Sequence, residues 1–219
     1  MNTILATMPD TQFTPESPVA VEAAAPARKR PKPGERRVQI LQALATMLEQ
    51  PGAERITTAA LAARLDVSEA ALYRHFASKA QMFEGLIEFI EQSVFTLINQ
   101  IAEREAAGTA QAGKVVTMLL HFAEKNPGMT RVMVGDALVF ENERLQQRMN
   151  QFFDKIESTL KQSLRGATGG DGSPTPSLDA QVRASMLTAF AVGRLQRFAR
   201  SGFKRAPSEH LEASLARML

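Results

Sequence analysis

The sequence contains no cysteine. That excludes disulfides, a thiol nucleophile and a thiolate-held metal, and it fits a reducing cytosol. No apolar run approaches the length that spans a bilayer. The first residues lack a basic segment followed by an apolar core, so they do not read as a secretory signal. Histidine is limited to His75, His121 and His210, which lack metal-ligand spacing. No glycine-rich phosphate loop follows a strand, and no nucleophile elbow is present. Charge of one sign is also scarce. A formal net charge of +3 over 219 residues neither demands nor excludes nucleic acid, so the distribution of charge matters more than its total. These absences argue against an enzyme, a metal or a cofactor, and for a soluble cytoplasmic protein.

What is present is 44% hydrophobic residues, enough for a buried core. Residues 1–33 are rich in Pro, Ala and Thr without periodicity, and cannot bury enough apolar surface to offset their ordering entropy. They read as a disordered tail. A basic cluster closes it: Arg28, Lys29, Arg30 and Lys32, continued by Arg36 and Arg37. Such a cluster is either a solvated tail or an arm that tracks phosphates.

From Glu35 the apolar spacing turns helical. Ile40, Leu41, Leu44, Met47 and Leu48 share one face, ended by Pro51-Gly52. A long helix is expected from Lys79, carrying Phe83, Leu86, Ile87, Ile90, Val94, Leu97, Ile98 and Ile101, with Gly108 as its breaker. Further helices follow around Val115–Phe122, from Met129 to Val134, around Leu145–Leu164, from Leu178 to Arg200, and from about Ser208 to Leu219. The segment 166–177, GATGGDGSPTPS, reads as a loop. No stretch alternates at period two, so the expectation is an all-α protein of about nine helices. The division expected is a tail (1–33), a DNA-binding unit (34–80) and a larger helical unit (81–219).

The stretch Arg55–Phe83 carries the most information. It reads as two short helices, a tight turn between them, and the capped start of a longer helix. Thr57 or Thr58 caps the first, with Leu61 and Leu65 on its inner face. Asp66-Val67 makes the turn, Ser68 caps the second helix, and Leu72 anchors it. Ser68, Glu69, Ala70, Tyr73 and Arg74 are left outside, where short side chains approach base edges and Tyr73 and Arg74 reach phosphate or guanine. Ser78 and Gln81 form a capping box. Lys79 at a helix start favours phosphate, and His75 either touches phosphate or packs the motif.

VSEAALYRHFASK resembles the signature of TetR-family regulators. That resemblance implies an all-α homodimer with an N-terminal helix-turn-helix. LIEFIE and NPGMTR extend it toward the nucleoid occlusion branch of that family, over roughly residues 35–206. The branch implies binding to palindromic double-stranded DNA, with one or more dimers per site, and inhibition of FtsZ ring assembly over the nucleoid. It also implies a groove for the FtsZ C-terminal tail between the helix from Lys79 and the helix from Val115. Candidate contacts are Phe89, Leu97, Met118, His121, Lys125 and Asn126. The turn position usually held by glycine is Asp66 here, and aspartate tolerates the left-handed conformation.

Dimerisation is expected on the helix Leu178–Arg200, where Ala184, Ala189, Ala191 and Gly193 admit a partner helix and Phe190 and Phe198 add apolar area. The competing reading is a ligand-responsive repressor, which needs an internal cavity. Phe122, Phe140, Phe152 and Phe190 are expected to fill that space.

Overall fold

Residues 34–50, 56–168 and 175–219 are described by a computed structural model, and every regular element among them is helical. In chain order they are α1 (Glu35–Leu48), α2 (Thr58–Arg64), α3 (Glu69–Tyr73), α4 (Lys79–Arg104), α5 (Thr109–Lys125), α6 (Pro127–Met133), α7 (Glu143–Thr168), α8 (Pro176–Arg200) and α9 (Leu211–Met218). A single 3-10 turn, Asp136–Leu138, separates α6 from α7. The expected tail, Arg28 to Lys32 of its basic cluster, the Pro51-Gly52 stop and the middle of the 166–177 loop lie outside the described residues.

The apolar spacing dictates what each helix buries. On α4, Phe83, Leu86, Ile87, Ile90, Val94 and Ile98 are buried. On α7, Leu145, Met149, Phe152, Ile156, Leu160 and Leu164 are. A single buried cluster runs from Ile40 of α1 to Leu211 of α9, so the small N-terminal helices and the body share one core. Burying each large side chain contributes roughly 1.5–3 kcal/mol. The α4 helix, about 39 Å long at 1.5 Å per residue, runs from the helix-turn-helix into the body.

Ion pairs reinforce the α4–α7 side. Lys79 Nζ meets Glu141 Oε1 at 2.5 Å, Arg144 pairs with Glu84, and Arg148 takes Glu91 through Nε (3.2 Å) and Nη2 (2.5 Å). The Glu91 hydrogen bonds push the Arg148 guanidinium further up from its ordinary value, against the opposing effect of burial.

Several boundaries differ from the sequence expectation. Pro127 does end α5, but it then opens α6 as its first residue, where a missing N–H costs nothing. The last helix starts at Leu211 because His210 takes a positive φ of 54°. Phe140 is 59% exposed rather than buried, because it follows the 3-10 turn and not a helix face. Phe152 is buried, and Phe122 and Phe190 are partly buried against the core.

The joint between α1 and α6 is backbone on backbone. A Cβ built on Gly128 would lie 1.9 Å from the carbonyl oxygen of Ala45. Around it, Asn126 Nδ2 donates to Phe122 O (2.7 Å), and the buried Thr130 hydroxyl donates to Ala123 O (2.8 Å). These bonds satisfy the open end of α5 and fasten α6 to it. Gly128→Ala is expected to lower stability by about 1–3 kcal/mol in denaturant titration, the usual range for overpacking a close contact. A loss below about 0.5 kcal/mol would show that α1 and α6 separate freely.

Candidate nucleic-acid interface

The helix-turn-helix is built almost entirely from caps. Thr57 is the N-cap of α2, its hydroxyl accepting from Ala60 N at 3.1 Å, which decides between the two threonines. Asp66 ends α2 in the left-handed region at φ 52°. Val67 N donates to Ala62 O (3.1 Å) and Asp66 N to Ala63 O (3.2 Å), the pair of bonds of a Schellman turn. The turn thus survives without glycine. Ser68 then caps α3, accepting from Ala71 N at 3.3 Å. Ser78 caps α4 and accepts from Gln81 N (3.2 Å), while Gln81 Oε1 reaches Ala77 N (2.8 Å), one residue before the position of a standard capping box.

Leu61, Leu72 and Phe76 are buried and anchor α2 and α3. Leu65 is only partly buried, packed at the core's margin. On the outer side Thr57, Ser68, Glu69, Ala70, Tyr73 and Arg74 are exposed, and Thr58 and His75 are half-buried. Tyr73 is 45% exposed. These side chains share the outer surface of α2 and α3, as the spacing predicts.

Two contacts there were not legible in the sequence. The Thr58 hydroxyl donates to Glu69 Oε2 at 2.5 Å, and Tyr73 OH lies 3.5 Å from Thr58 Oγ1. The first residue of α2 therefore steadies both ends of α3. Lys79 also behaves differently from expectation. It is engaged by Glu141 and lies 5.7 Å over the Phe83 ring, so its ammonium is committed to the scaffold rather than held out for phosphate. The reason is a carboxylate 62 residues away.

The six candidate partner residues do not line one groove. Leu97 and Met118 do share a hollow of about 310 Å³ between α4 and α5, with Gln100, Ile101, Arg104, Glu105 and Lys114. Phe89, 48% exposed, instead borders an apolar hollow with Val38 and Leu41 of α1 and Met129 of α6. His121 faces a third hollow toward α9, beside Ser208 and His210. Lys125 is exposed. The Asn126 amide caps α5, as described above. The candidates follow α5 and α4 around the body because each helix turns through its own period.

On α8 the small residues divide. Ala184 and Ala191 are buried toward the chain's own core, whereas Ala189 is exposed and Gly193 has open space beside it. Phe198 is buried and Phe190 partly so. The helix packs against α7, α5 and α6. Facing outward instead are Leu178, Val182 and Met186, 59%, 49% and 53% exposed. Their spacing of four puts them in one stripe.

Among the described residues no group of three or more His, Asp or Glu is placed to hold a metal, and no helix is long and apolar enough to cross a membrane.

A capped helix-turn-helix on an all-helical body defines a DNA-binding regulator of the TetR class, and comparison with known proteins agrees. Residues 40–86 match the family described as bacterial regulatory proteins, tetR family, and residues 109–218 match a tetracyclin repressor-like C-terminal domain of the SlmA-like type. Solved structures of low identity share the fold. They include the fatty acid degradation regulator FadR of Bacillus halodurans (TM-score 0.70, 13% identity, 87% of this chain and 97% of that one). Another is a TetR transcriptional regulator from Legionella pneumophila (TM-score 0.67, 15% identity, 87% and 99%).

Sequence similarity over about four fifths of the chain points to one branch. The chain is 52% identical over 178 residues to nucleoid occlusion factor SlmA of Idiomarina loihiensis, covering 81% of this chain and 90% of that protein. It is 54% identical over 175 residues to that of Shewanella pealeana (80% and 88%), and 52% over 182 residues to that of Vibrio vulnificus (83% and 92%). The chain belongs to the SlmA family of nucleoid occlusion factors within the TetR regulators.

Tyr73→Ala combined with Arg74→Ala is expected to reduce affinity for specific duplex DNA by about thirtyfold or more, at about 1–3 kcal/mol per lost contact. The oligomeric state should not change, because neither side chain enters the core. Unchanged duplex affinity in an electrophoretic or fluorescence titration would remove α3 from the interface.

Proposed function

We propose that this protein binds palindromic sites scattered over the chromosome and, from the nucleoid, blocks assembly of the FtsZ division ring above unsegregated DNA. The observation that carries the reading is the 52–54% identity to nucleoid occlusion factors over four fifths of the chain, with the helix-turn-helix capped and its outer face open. Residues 34–80 act as the DNA-binding unit and residues 81–219 as the dimerisation and partner-binding unit. Thr57, Thr58, Ser68, Glu69, Ala70, Tyr73, Arg74 and His75 form the DNA surface, with Lys79 behind it as a scaffold residue.

The FtsZ tail docks on the outside of α4 and α5. Its strongest candidate contacts are Phe89 over the apolar hollow against α1 and α6, and Leu97 with Met118 in the hollow bordered by Arg104 and by the Lys114–Glu105 ion pair. An exposed phenylalanine next to a concave apolar surface is the kind of residue that carries binding energy, and Arg104 and Lys125 suit an acidic peptide. The outward stripe of Leu178, Val182 and Met186 dimerises two chains, so that two α3 helices meet half-sites about one helical turn apart, roughly 34 Å.

Three measurements test this. Phe89→Ala is expected to weaken binding of an FtsZ C-terminal peptide by about tenfold or more while leaving duplex affinity within twofold. Equal peptide affinity would take Phe89 out of the site. Val182→Asp with Met186→Asp is expected to yield monomers in sedimentation at micromolar concentration, since two charges would be buried in an apolar contact. A persistent dimer would place the interface elsewhere. Mapping of bound sites in the cell is expected to show many sites, sparse near the replication terminus. A single site beside one operon would favour the ligand-responsive repressor.

A further inference from the structure

The α3 helix is five residues long. An isolated helix of that length does not form in water, because nucleation fixes several residues for one or two hydrogen bonds. Its orientation must therefore be imposed from outside. Ser68 fixes its start, and Leu72 and Phe76 fix its inner side. At its end, His75 N and Phe76 N both donate to Leu72 O, and the carbonyl of His75 lies just beyond, two residues past the last residue of the helix.

Arg37 occupies this end from α1. Its Nη1 donates to His75 O, and its guanidinium lies 4.1 Å from the centroid of the Phe76 ring. The two contacts use two different properties of the group, an in-plane N–H and a flat cationic face. A cation at a helix C-terminus also suits the carbonyl ends exposed there.

We infer that Arg37 is a positioning residue for the recognition helix: it clamps the end of α3 to α1 and thereby sharpens base discrimination, rather than serving as one of the phosphate-tracking charges of the basic segment around it. This rests on the reading of α3 as the DNA-contacting helix. The clamp and a phosphate contact predict different behaviour for the conservative variant. Lysine keeps the charge but loses the flat stacking face, so a phosphate contact survives Arg37→Lys and the clamp does not.

The test uses the full chain, Arg37→Ala and Arg37→Lys. Each is titrated against a duplex selected by the wild-type chain from a random pool, and against an unselected duplex, across a salt series. Hydrogen exchange of the segment Glu69–Ala77 is followed without DNA, and helicity and dimer mass confirm folding. The clamp requires both variants to exchange faster in that segment. It also requires both to lose about tenfold affinity for the selected duplex, the scale of one hydrogen bond and one stacking contact. The salt slope and the affinity for the unselected duplex should stay unchanged. Wild-type behaviour of Arg37→Lys, with a slope reduced by about 0.9 in Arg37→Ala, would overturn the clamp in favour of a phosphate contact. Unaltered exchange in both variants would overturn it as well. If the wild-type chain selects no duplex, the DNA reading fails, and the exchange data still decide the clamp.

Discussion

Everything the helix-turn-helix can do depends on where α1 sits, and α1 sits where the bare backbone of Gly128 meets the carbonyl of Ala45. No side chain intervenes at this contact. The α2 helix packs on α1 and α3 packs on α2, and α6 is fastened to the end of α5 by Asn126 and Thr130. One close approach thus joins the body to the helix-turn-helix through α1. The NPGMTR segment has a physical meaning beyond family resemblance. Proline starts a helix at once, glycine admits a neighbouring backbone, and threonine satisfies the carbonyls left by the preceding helix.

Charges near the DNA motif fall into two populations. Lys79, Arg144 and Arg148 are committed to Glu141, Glu84 and Glu91, and join α4 to the start of α7. Arg74 instead remains exposed on the outer face of the motif. A half-buried pair of this kind gains more than a fully solvated one, since less of its attraction is screened. The protein therefore uses part of its basic residues to brace the body.

The helices were readable because each long one buries a single face, so that its apolar period is unbroken. The motif was readable because its caps are local: Thr57, Asp66, Ser68 and Ser78 act within three or four residues of themselves. Facing was not readable on α8. Its apolar residues fall on two sides, with Ala184, Leu187, Ala191 and Leu195 buried and Leu178, Val182 and Met186 exposed. Sequence spacing shows that Val182 and Met186 are apolar, but not whether their neighbour is in the same chain. The same limit explains Lys79 and Arg37, whose partners are 62 and 38 residues distant. It also explains Phe89, whose hollow is formed by three helices that are far apart in the chain.

Under the proposed pairing of two chains through the outward stripe on α8, competence to bind a two-fold DNA site is a matter of copy number. A lone chain leaves Leu178, Val182 and Met186 half in water and carries only half of a two-fold reader. Where dimers are scarce, their abundance grows as the square of the number of chains, so occupancy of a symmetric site rises more steeply than synthesis. Dilution by cell growth then loosens the protein's hold on DNA faster than the chain itself thins out.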